Sequence, residues 1–522
     1  MREIVTLQLG QKSNYVATHF WNAQESYFTY SAEQESPIDH DVHFRPGIGA
    51  DGTETFTPRT LIYDLKGGFG TLRKINALYE LNNESSPSPS LWDGPSSTQK
   101  QPVIEESPYQ RSLNQGLQPP SLSTSTVRYW SDFNRVFYHP RSIVQLNDYE
   151  LNSSLLPFER WNLGEELFDS LDKEHDLIDR DLRPFAEECD QLQGLQIITE
   201  ADNAWGGFAG RYLDRLRDEF GKLTLWVWAL QDSGRTSRPQ ELVKRVNTAR
   251  SLESISAQSS VYVPLSDPPC SLPGYVSIEP GSQWHSSALL ATAVETMTLP
   301  SRLRAAGGTR STFVDIAGFL NTNGTQKVAQ LQLQVMDPDE MSATDKATAQ
   351  SDFARLDARI DEADDPREAT ACLTTFDMDL FPEHIDTSER KGSKKPHVFA
   401  QVEMIRGDTA RSTHNDDGDP RMMLRQRATE LPAINRFRTP VRFPKLDSFP
   451  SIYSQNSIQS GGVTAQTALL TSTTVANYVK SVQRFAGRSV GVEEREALMN
   501  GLSELAEAYQ HGWESGSDED ED

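Results

Sequence analysis

A chain of 522 residues, 36 % of them hydrophobic, is long enough to bury a large core and predicts two or three packed units. Its 75 acidic and 50 basic side chains leave a formal charge of −25, which removes the net positive field that coating of a nucleic acid or an anionic lipid surface requires. Three cysteines, Cys189, Cys270 and Cys372, are too few and too far apart for a disulfide framework or a thiolate metal site and suit a reducing compartment; no run of about 18 apolar residues is present to span a bilayer.

Ile4, Val5, Leu7 and Leu9 predict a strand close to Met1. Gly10 breaks it, Gln11 to Asn14 read as a polar turn, and from Tyr15 the positions Val16, His19, Phe20 and Ala23 fall at helical spacing. Strand, turn and helix in this order leave helix-start N–H groups free to hold a phosphate. Glu3 inside the strand argues that this start belongs to the fold, since a transit peptide is Arg-rich and poor in acid. Residues 31–55 read as a loop rich in acid, His and Gly, in which His40 and His43 lack the further ligands a metal site needs. Leu61, Ile62, Tyr63 and Leu65 predict a buried strand, and Gly67, Gly68 and Gly70 a backbone turn at its end. Residues 84–126 shift to Ser, Pro, Gln and Asn and read as a disordered or loosely held insertion.

Aromatic residues crowd the stretch 127–150. Trp130, Phe133 and Phe137 at helical spacing predict a packed face, Asp132 interrupts the basic surface that base stacking would need, and His139-Pro140 ends the element. Residues 168–189 predict a helix, 192–199 a strand, 200–210 a glycine-bearing loop, 211–222 a helix, and LTLWVWAL the next strand. This alternation predicts an α/β fold of Rossmann type, a mainly parallel sheet with helices on both faces. Neither a G-x-S-x-G elbow nor a G-x-x-x-x-G-K-[ST] loop is present, and no Cys or Ser has a context that would activate it, so a covalent enzyme is not expected.

Further on, Ser342 to Ala363 predicts an acidic, Ala-rich helix, residues 390–421 a charged loop, and TPVRFPKLDSFPSIY an extended segment laid over another surface. Leu498, Leu502, Leu505 and Tyr509 form one stripe of a helix across 493–510 that would dock on the body. Residues 514–522 carry six acids in nine positions, a solvated block in which Ser515 and Ser517 are candidate phosphosites.

The opening MREIVTLQLGQKSN resembles that of the tubulins, whose first strand reads MREIV and first loop GQCGN. TPRTLIYDLKGG is similar to their PRAILVDLEPG, and CDQLQGLQ, followed by a helix ending RDEFGK, to their CDCLQGFQ and a helix ending REEY. Within that superfamily, DLKGGFG, YWSDFNRVFYHPRS and the acidic end after HGWESGSDEDED resemble the Misato family, tubulin-related proteins of mitochondrial distribution. The resemblance implies a tubulin-like part over 1–83, the insertion 84–126, a tubulin-like domain over 127–340, an α-rich region over 341–513 and an acidic tail over 514–522. In outline that is a tubulin-like α/β domain, an α+β middle and a mainly helical carboxyl-terminal region.

By the same resemblance, the tubulin phosphate loop GGGTGSG corresponds to 203–210, where Trp205 and Phe208 put bulk in the phosphate space while Gly206, Gly207 and Gly210 still offer amides. A vestigial nucleotide site would comprise Gly10, Gln11, Lys12, Asn14, Lys66, Gly67, Gly68, Gly206, Gly207 and Gly210. Lys66 replaces the acid of the DLEPG turn that helps organise metal and water, and Asn321-Thr322-Asn323 stands for the Asn-Ala-Asp that completes hydrolysis across an interface. The amide of Asn323 cannot take a proton from water as a carboxylate can, so GTPase turnover is not expected. Two readings stay open: GTP held without turnover, with Lys12 and Lys66 neutralising phosphate, or a filled structural loop with both lysines solvated, which is the plainer one. Neither a catalytic residue, a metal nor an obligate cofactor is expected.

The function implied is non-catalytic: mitochondrial distribution, morphology and partitioning and inheritance of mitochondrial DNA, at the outer face of the mitochondrion and in the cytoplasm, peripheral to the membrane. Protein partners such as tubulin, chaperonin or mitochondrial outer-surface proteins are implied, and no direct nucleic-acid partner. The alternatives are a tubulin assembly factor working with the cytosolic chaperonin and an active GTP-binding, polymerising relative.

Overall fold

The structure, a computed structural model, describes residues 3–29, 35–48, 52, 54–72, 104–304, 308–321, 323–335, 376–382, 396–407, 433–454, 458–459 and 462–510. Strand β1 (Glu3–Leu9) is buried along its whole length, with Ile4 in the core on one face and Val5, Leu7 and Leu9 in the core on the other. Gly10, at φ 97°, turns the chain directly into α1 (Gln11–Ser26). The polar turn expected at Gln11 to Asn14 is therefore the first turn of the helix: Ser13 and Thr18 return their hydroxyls to the carbonyls of Leu9 and Asn14.

Part of the loop expected at 31–55 is a hairpin of β2 (Phe44–Ile48) and β3 (Glu54–Pro58), which leads into β4 (Thr60–Lys66). The stretch expected to be disordered is ordered from residue 104. It contains α2 (Pro108–Asn114), capped by the Ser107 hydroxyl, and buried Gln110 donates to the carbonyls of Ser131, Asp132 and Asn134. Residues 84–103 lie outside the described residues. Trp130 and Phe133 are buried on a single 3-10 turn, but the chain extends from Asn134, so Phe137 is 54 % exposed and the packed face continues through Val136 and Tyr138 instead.

Next come β5 (Ile143–Glu150), α3 (Trp161–His175), α4 (Arg183–Glu187), β6 (Leu192–Glu200), α5 (Ala204–Glu219), β7 (Thr224–Asp232), α6 (Arg238–Gln258), β8 (Val261–Asp267), α7 (Gln283–Thr298) and α8 (Phe313–Leu320). The single helix expected over 168–189 is split, because Asp176 adopts a left-handed conformation that ends α3 ahead of a π turn at Ile178–Leu182. Six strands pair in parallel in the order β5-β4-β1-β6-β7-β8. Helices α1 and α7 cover one face, and α3, α5 and α6 the other. The α/β fold with helices on both faces is as the sequence predicts, and β1 and β6 flank the point where the winding reverses.

A second sheet follows, of β9 (Gln330–Val335), β10 (Met378–Asp379), β11 (Val398–Arg406), β12 (Ala433–Thr439) and, after the small hairpin β13 (Ile458–Gln459) and β14 (Gly462–Val463), β15 (Ala465–Ser472), in the order β10-β9-β15-β11-β12. This corrects one expectation: the stretch read as a charged loop at 390–421 contains the buried strand β11. After the mixed sheet, the described residues end in a helical hairpin, α9 (Thr473–Ser489) and α10 (Val492–Glu507). The helix expected at Ser342 to Ala363 lies outside the described residues. The segment 439–453 lies over other surfaces as expected, bridging Val463 through Phe443 and Val276 through Tyr453, but it is broken by a turn at 447–449. Helix α10 docks on the body through Leu498 and Leu502, and the turn after it through Tyr509, whose hydroxyl meets the Val328 amide at 2.6 Å and carbonyl at 2.8 Å.

The two sheets meet across α7, in which Glu295 is fully buried together with Arg302 and Arg406. The Arg302 guanidinium lies 2.7 Å from Glu295 Oε1, and Arg406 bonds Glu295 Oε2, the Tyr27 hydroxyl at 2.7 Å and the carbonyls of Val441 and Arg442. Gln24 of α1 and Tyr27 directly after it also donate to Glu295, each at 3.1 Å. Burial alone would raise the Glu295 carboxyl, but the two guanidinium groups outweigh it and hold the group below the ordinary carboxylate range.

Since β1 is the strand on which both β4 and β6 pair, deleting residues 1–10 should yield insoluble or protease-sensitive protein. Burial of Ile4, Val5, Leu7 and Leu9 contributes roughly 1.5–3 kcal/mol each against a total stability of about 5–15 kcal/mol. A soluble truncated chain that melts cooperatively would disprove this placement of the core.

Candidate functional site

In open α/β sheets the ligand crevice lies beyond the carboxyl ends of the strands where the winding reverses. Here that position is formed by Gly10 and the start of α1, by Glu200 at the end of β6, and by Asp202, Asn203 and Trp205 leading into α5. Glu200 Oε1 accepts the Lys12 amide N–H at 2.9 Å, and Asn203 donates to Glu200 Oε2 at 2.5 Å while its own Oδ1 accepts the Trp205 N–H. A carboxylate of the chain thus satisfies the helix-start amide that an anion would otherwise meet. A Cβ at Gly10 would fall 2.6 Å from Glu200 Oε1 and 2.7 Å from Trp205 Cδ1, so both groups are pressed against the glycine backbone.

The Lys12 ammonium reaches across to Asp232 at 3.3 Å and Asp267 at 3.7 Å, while Lys244 also bonds Asp232 and Gln283 donates to Asp267 at 2.7 Å. Burial works to lower the Lys12 pKa, but Asp267, Asp202, Asp232 and Glu200 together hold it above the ordinary lysine value. Lys12 is therefore no solvated loop-tip lysine; it neutralises carboxylates of its own chain. Gln11 Oε1, Asn14 Oδ1 and Asp267 Oδ1 have no donor among the described residues. What the crevice lacks is donors, and a phosphate brings acceptors, so these residues do not fit a phosphate at the start of α1. Among the described residues no group of three His, Cys, Asp or Glu could hold a metal ion.

Gly206, Gly207 and Gly210 are placed differently from the expectation. They lie inside α5, which starts at Ala204, and not in a loop. A Cβ at Gly207 would fall 2.0 Å from the Trp161 carbonyl oxygen of α3, and one at Gly206 2.1 Å from Ser251 Oγ of α6. Gly164 of α3 answers them, its Cβ position lying 1.7 Å from the Ala204 carbonyl oxygen. These glycines let three helix backbones approach closely, and Trp205 and Phe208 of the same helix are buried in the core, Trp205 against Phe158.

At the end of β4, Asn14 donates to Asp64 Oδ2 at 2.8 Å and a Cβ at Gly68 would overlap the Asp64 carboxylate, so Gly68 and Asn14 meet around that buried acid. Gly67 takes φ 89° in open space, and Lys66 is fixed through its carbonyl, which accepts the Leu151 N–H. Asn321 stands elsewhere: it caps α8 and accepts the Gln326 N–H in the turn that runs by Lys327 to the start of β8, at the opposite end of the sheet, with Asn323 exposed in the same turn. Sequence reasoning missed Glu200, Asp202, Asp232, Lys244, Asp267 and Gln283. The signal available was that Glu200, Asp232 and Asp267 each end an apolar strand. Beside them opens a cleft of about 590 Å³ between the ends of β7 and β8, α6 and α9, lined by Asp232, Lys244, Cys270, Tyr478 and Phe485 among others.

The strand order and the remodelled crevice define a tubulin-type α/β protein. Residues 2–115 match the family model of the Misato Segment II tubulin-like domain and residues 119–303 that of the tubulin domain. Protein dml1 of Aspergillus niger is 48 % identical over 524 residues and Protein dml-1 of Neurospora crassa 47 % over 544, each along the whole of both chains; Protein DML1 of Yarrowia lipolytica is 29 % identical over 544. The chain belongs to the Misato/Dml1 family of tubulin-like proteins.

Burial pushes the Glu200 carboxyl up to about 7, with Lys12 working against the shift. An unfolded glutamate titrates near about 4.3. The folded chain therefore holds this proton more tightly, and the stability it contributes is complete below about pH 4 and lost as the pH rises towards about 7. Glu200→Gln cannot titrate. Whatever constant cost the amide carries, the melting temperature of the variant relative to the parent should climb between pH 5 and pH 8; a pH-independent difference would show that Glu200 is ionised throughout.

Proposed function

We propose that this member of the tubulin superfamily is non-catalytic and serves the distribution, morphology and partitioning of mitochondria and the inheritance of mitochondrial DNA. The observation that carries the first part is Glu200: the acceptor that meets the amide at the start of α1 belongs to the chain, and Trp205 closes the space beside it. Lys66 and Asn323 stand where the resemblance to tubulins calls for acids, which removes the groups that would organise a metal or accept a proton from water. The mitochondrial part rests on the resemblance to the Misato family, and its partners on this reading are proteins of the cytoskeleton or of the mitochondrial outer surface. No helix among the described residues is long and apolar enough to cross a membrane, which suits peripheral attachment.

Denatured, purified protein should release no stoichiometric nucleotide by mass spectrometry and should show no Mg²⁺-dependent GTP turnover above background. A steady-state rate that follows the protein through gel filtration would overturn this. In cell fractions, the mitochondrial pool should be digested by protease added to intact organelles or stripped by high salt, and complete protection until the outer membrane is opened would place it inside.

A further inference from the structure

At the amino end of the central sheet two cations stand together without a carboxylate. Arg217 of α5 donates to the carbonyls of Gln258, Gly221 and Leu223, and the Lys327 ammonium donates to the Ala257 carbonyl at 2.6 Å. Both cap the last carbonyls of α6, the favourable end for positive charge. Neither makes an ion pair among the described residues, although the chain carries a charge of −25. Of the acids of α5 nearby, Asp214 accepts from Gln258 and faces Arg211, Glu219 pairs with Arg183, and exposed Asp218 makes no ion pair with either cation. Burial and then the neighbouring Arg217 lower the Lys327 pKa below the ordinary lysine value. Exposed Lys222 lies in the chain between Gly221 and Leu223, two of the three residues whose carbonyls Arg217 binds.

The chain's acidic end departs from this spot. Gln326, on one side of Lys327, donates to the Ala508 carbonyl at 3.1 Å, and Val328, on the other, holds the Tyr509 hydroxyl. Twelve residues follow Gln510, and six of the last nine are acids. Twelve extended residues reach roughly 40 Å, far more than is needed to return to Lys327. We propose that the acidic segment Glu514 to Asp522 docks in cis on the Arg217–Lys222–Lys327 patch, so that a basic partner must displace it before it can bind the tail. Single exposed ion pairs are weak, but tethering presents several carboxylates at an effective concentration of the order of millimolar. The contact is also screened by salt, with a Debye length of about 3 Å at 1 M.

The test is amine acylation of the folded protein followed by mass spectrometry of the peptide containing Lys327. Half to nine-tenths occupancy corresponds to labelling about two- to tenfold faster when the segment is lost. That acceleration is expected in the chain lacking 511–522, in the full-length chain with its six tail acids changed to amides, and in the parent at about 1 M salt. Lys66, at the other end of the sheet, should label equally in all. Zero-length cross-linking should join Lys327 to the tail at monomer mass, independent of protein concentration. Equal Lys327 labelling in every chain overturns the proposal, and so does a cross-link found only at dimer mass and rising with concentration, which would assign the patch to a second copy.

Discussion

One carboxylate enclosed by two guanidinium groups decides how the two sheets of this protein sit on each other. Glu295 comes from α7, Arg302 from the turn after it, and Arg406 from the end of β11 in the second sheet, while Gln24 of α1 and Tyr27 just after it add donors. All three charged side chains are fully buried, so the surplus positive charge is spread over the carbonyls of Glu295, Val441 and Arg442, and the guanidinium groups lie over the rings of Phe20 and Phe443. Loss of one member of such a set leaves uncompensated buried charge costing about 3–5 kcal/mol, a large part of a total near 5–15 kcal/mol. An apolar interface of equal area would tolerate sliding. This one has a single register, and α1, which opens on the crevice, is held from behind by the same network.

On the non-catalytic reading, that fixed helix shows how a crevice of the nucleotide-binding plan persists without an external anion. The backbone amide at the start of α1 still has to be satisfied, and Glu200 does so from the adjacent strand, with Lys12 drawn to Asp232 and Asp267 beyond. The glycines nearby serve another end. In α5 they carry no positive φ and contact no open space; they bring α3, α5 and α6 together at separations no side chain would permit.

The strands of the central sheet were legible because they are unbroken apolar runs, as parallel strands covered on both faces must be, and α10 was legible from the spacing of Leu498, Leu502 and Tyr509. The start of α5 was not. Gly206, Gly207 and Gly210 weaken local helix propensity, and only the nearness of Trp161 and Ser251, far away in sequence, makes a helix there the better packed state. Strand β11 hid for a related reason: Glu403 and Arg406 argue for a loop until their partners are known, and those are Arg436 and Glu295. Of the crevice, Gly10, Lys12 and Asn14 were found because they follow a strand within a familiar motif. The acids around them come from the ends of β6, β7 and β8 and meet only when those strands lie side by side.

A ligand that binds and leaves lets a protein keep time: its arrival marks one state, its loss or cleavage the next. Glu200 is covalently part of the chain and can be neither exchanged nor cut, so the contact between α1 and α5 carries no record of age or of cellular supply. On the non-catalytic reading proposed above, the junction is set once, when the chain folds, and any rhythm in the protein's work is imposed from outside by whatever it meets.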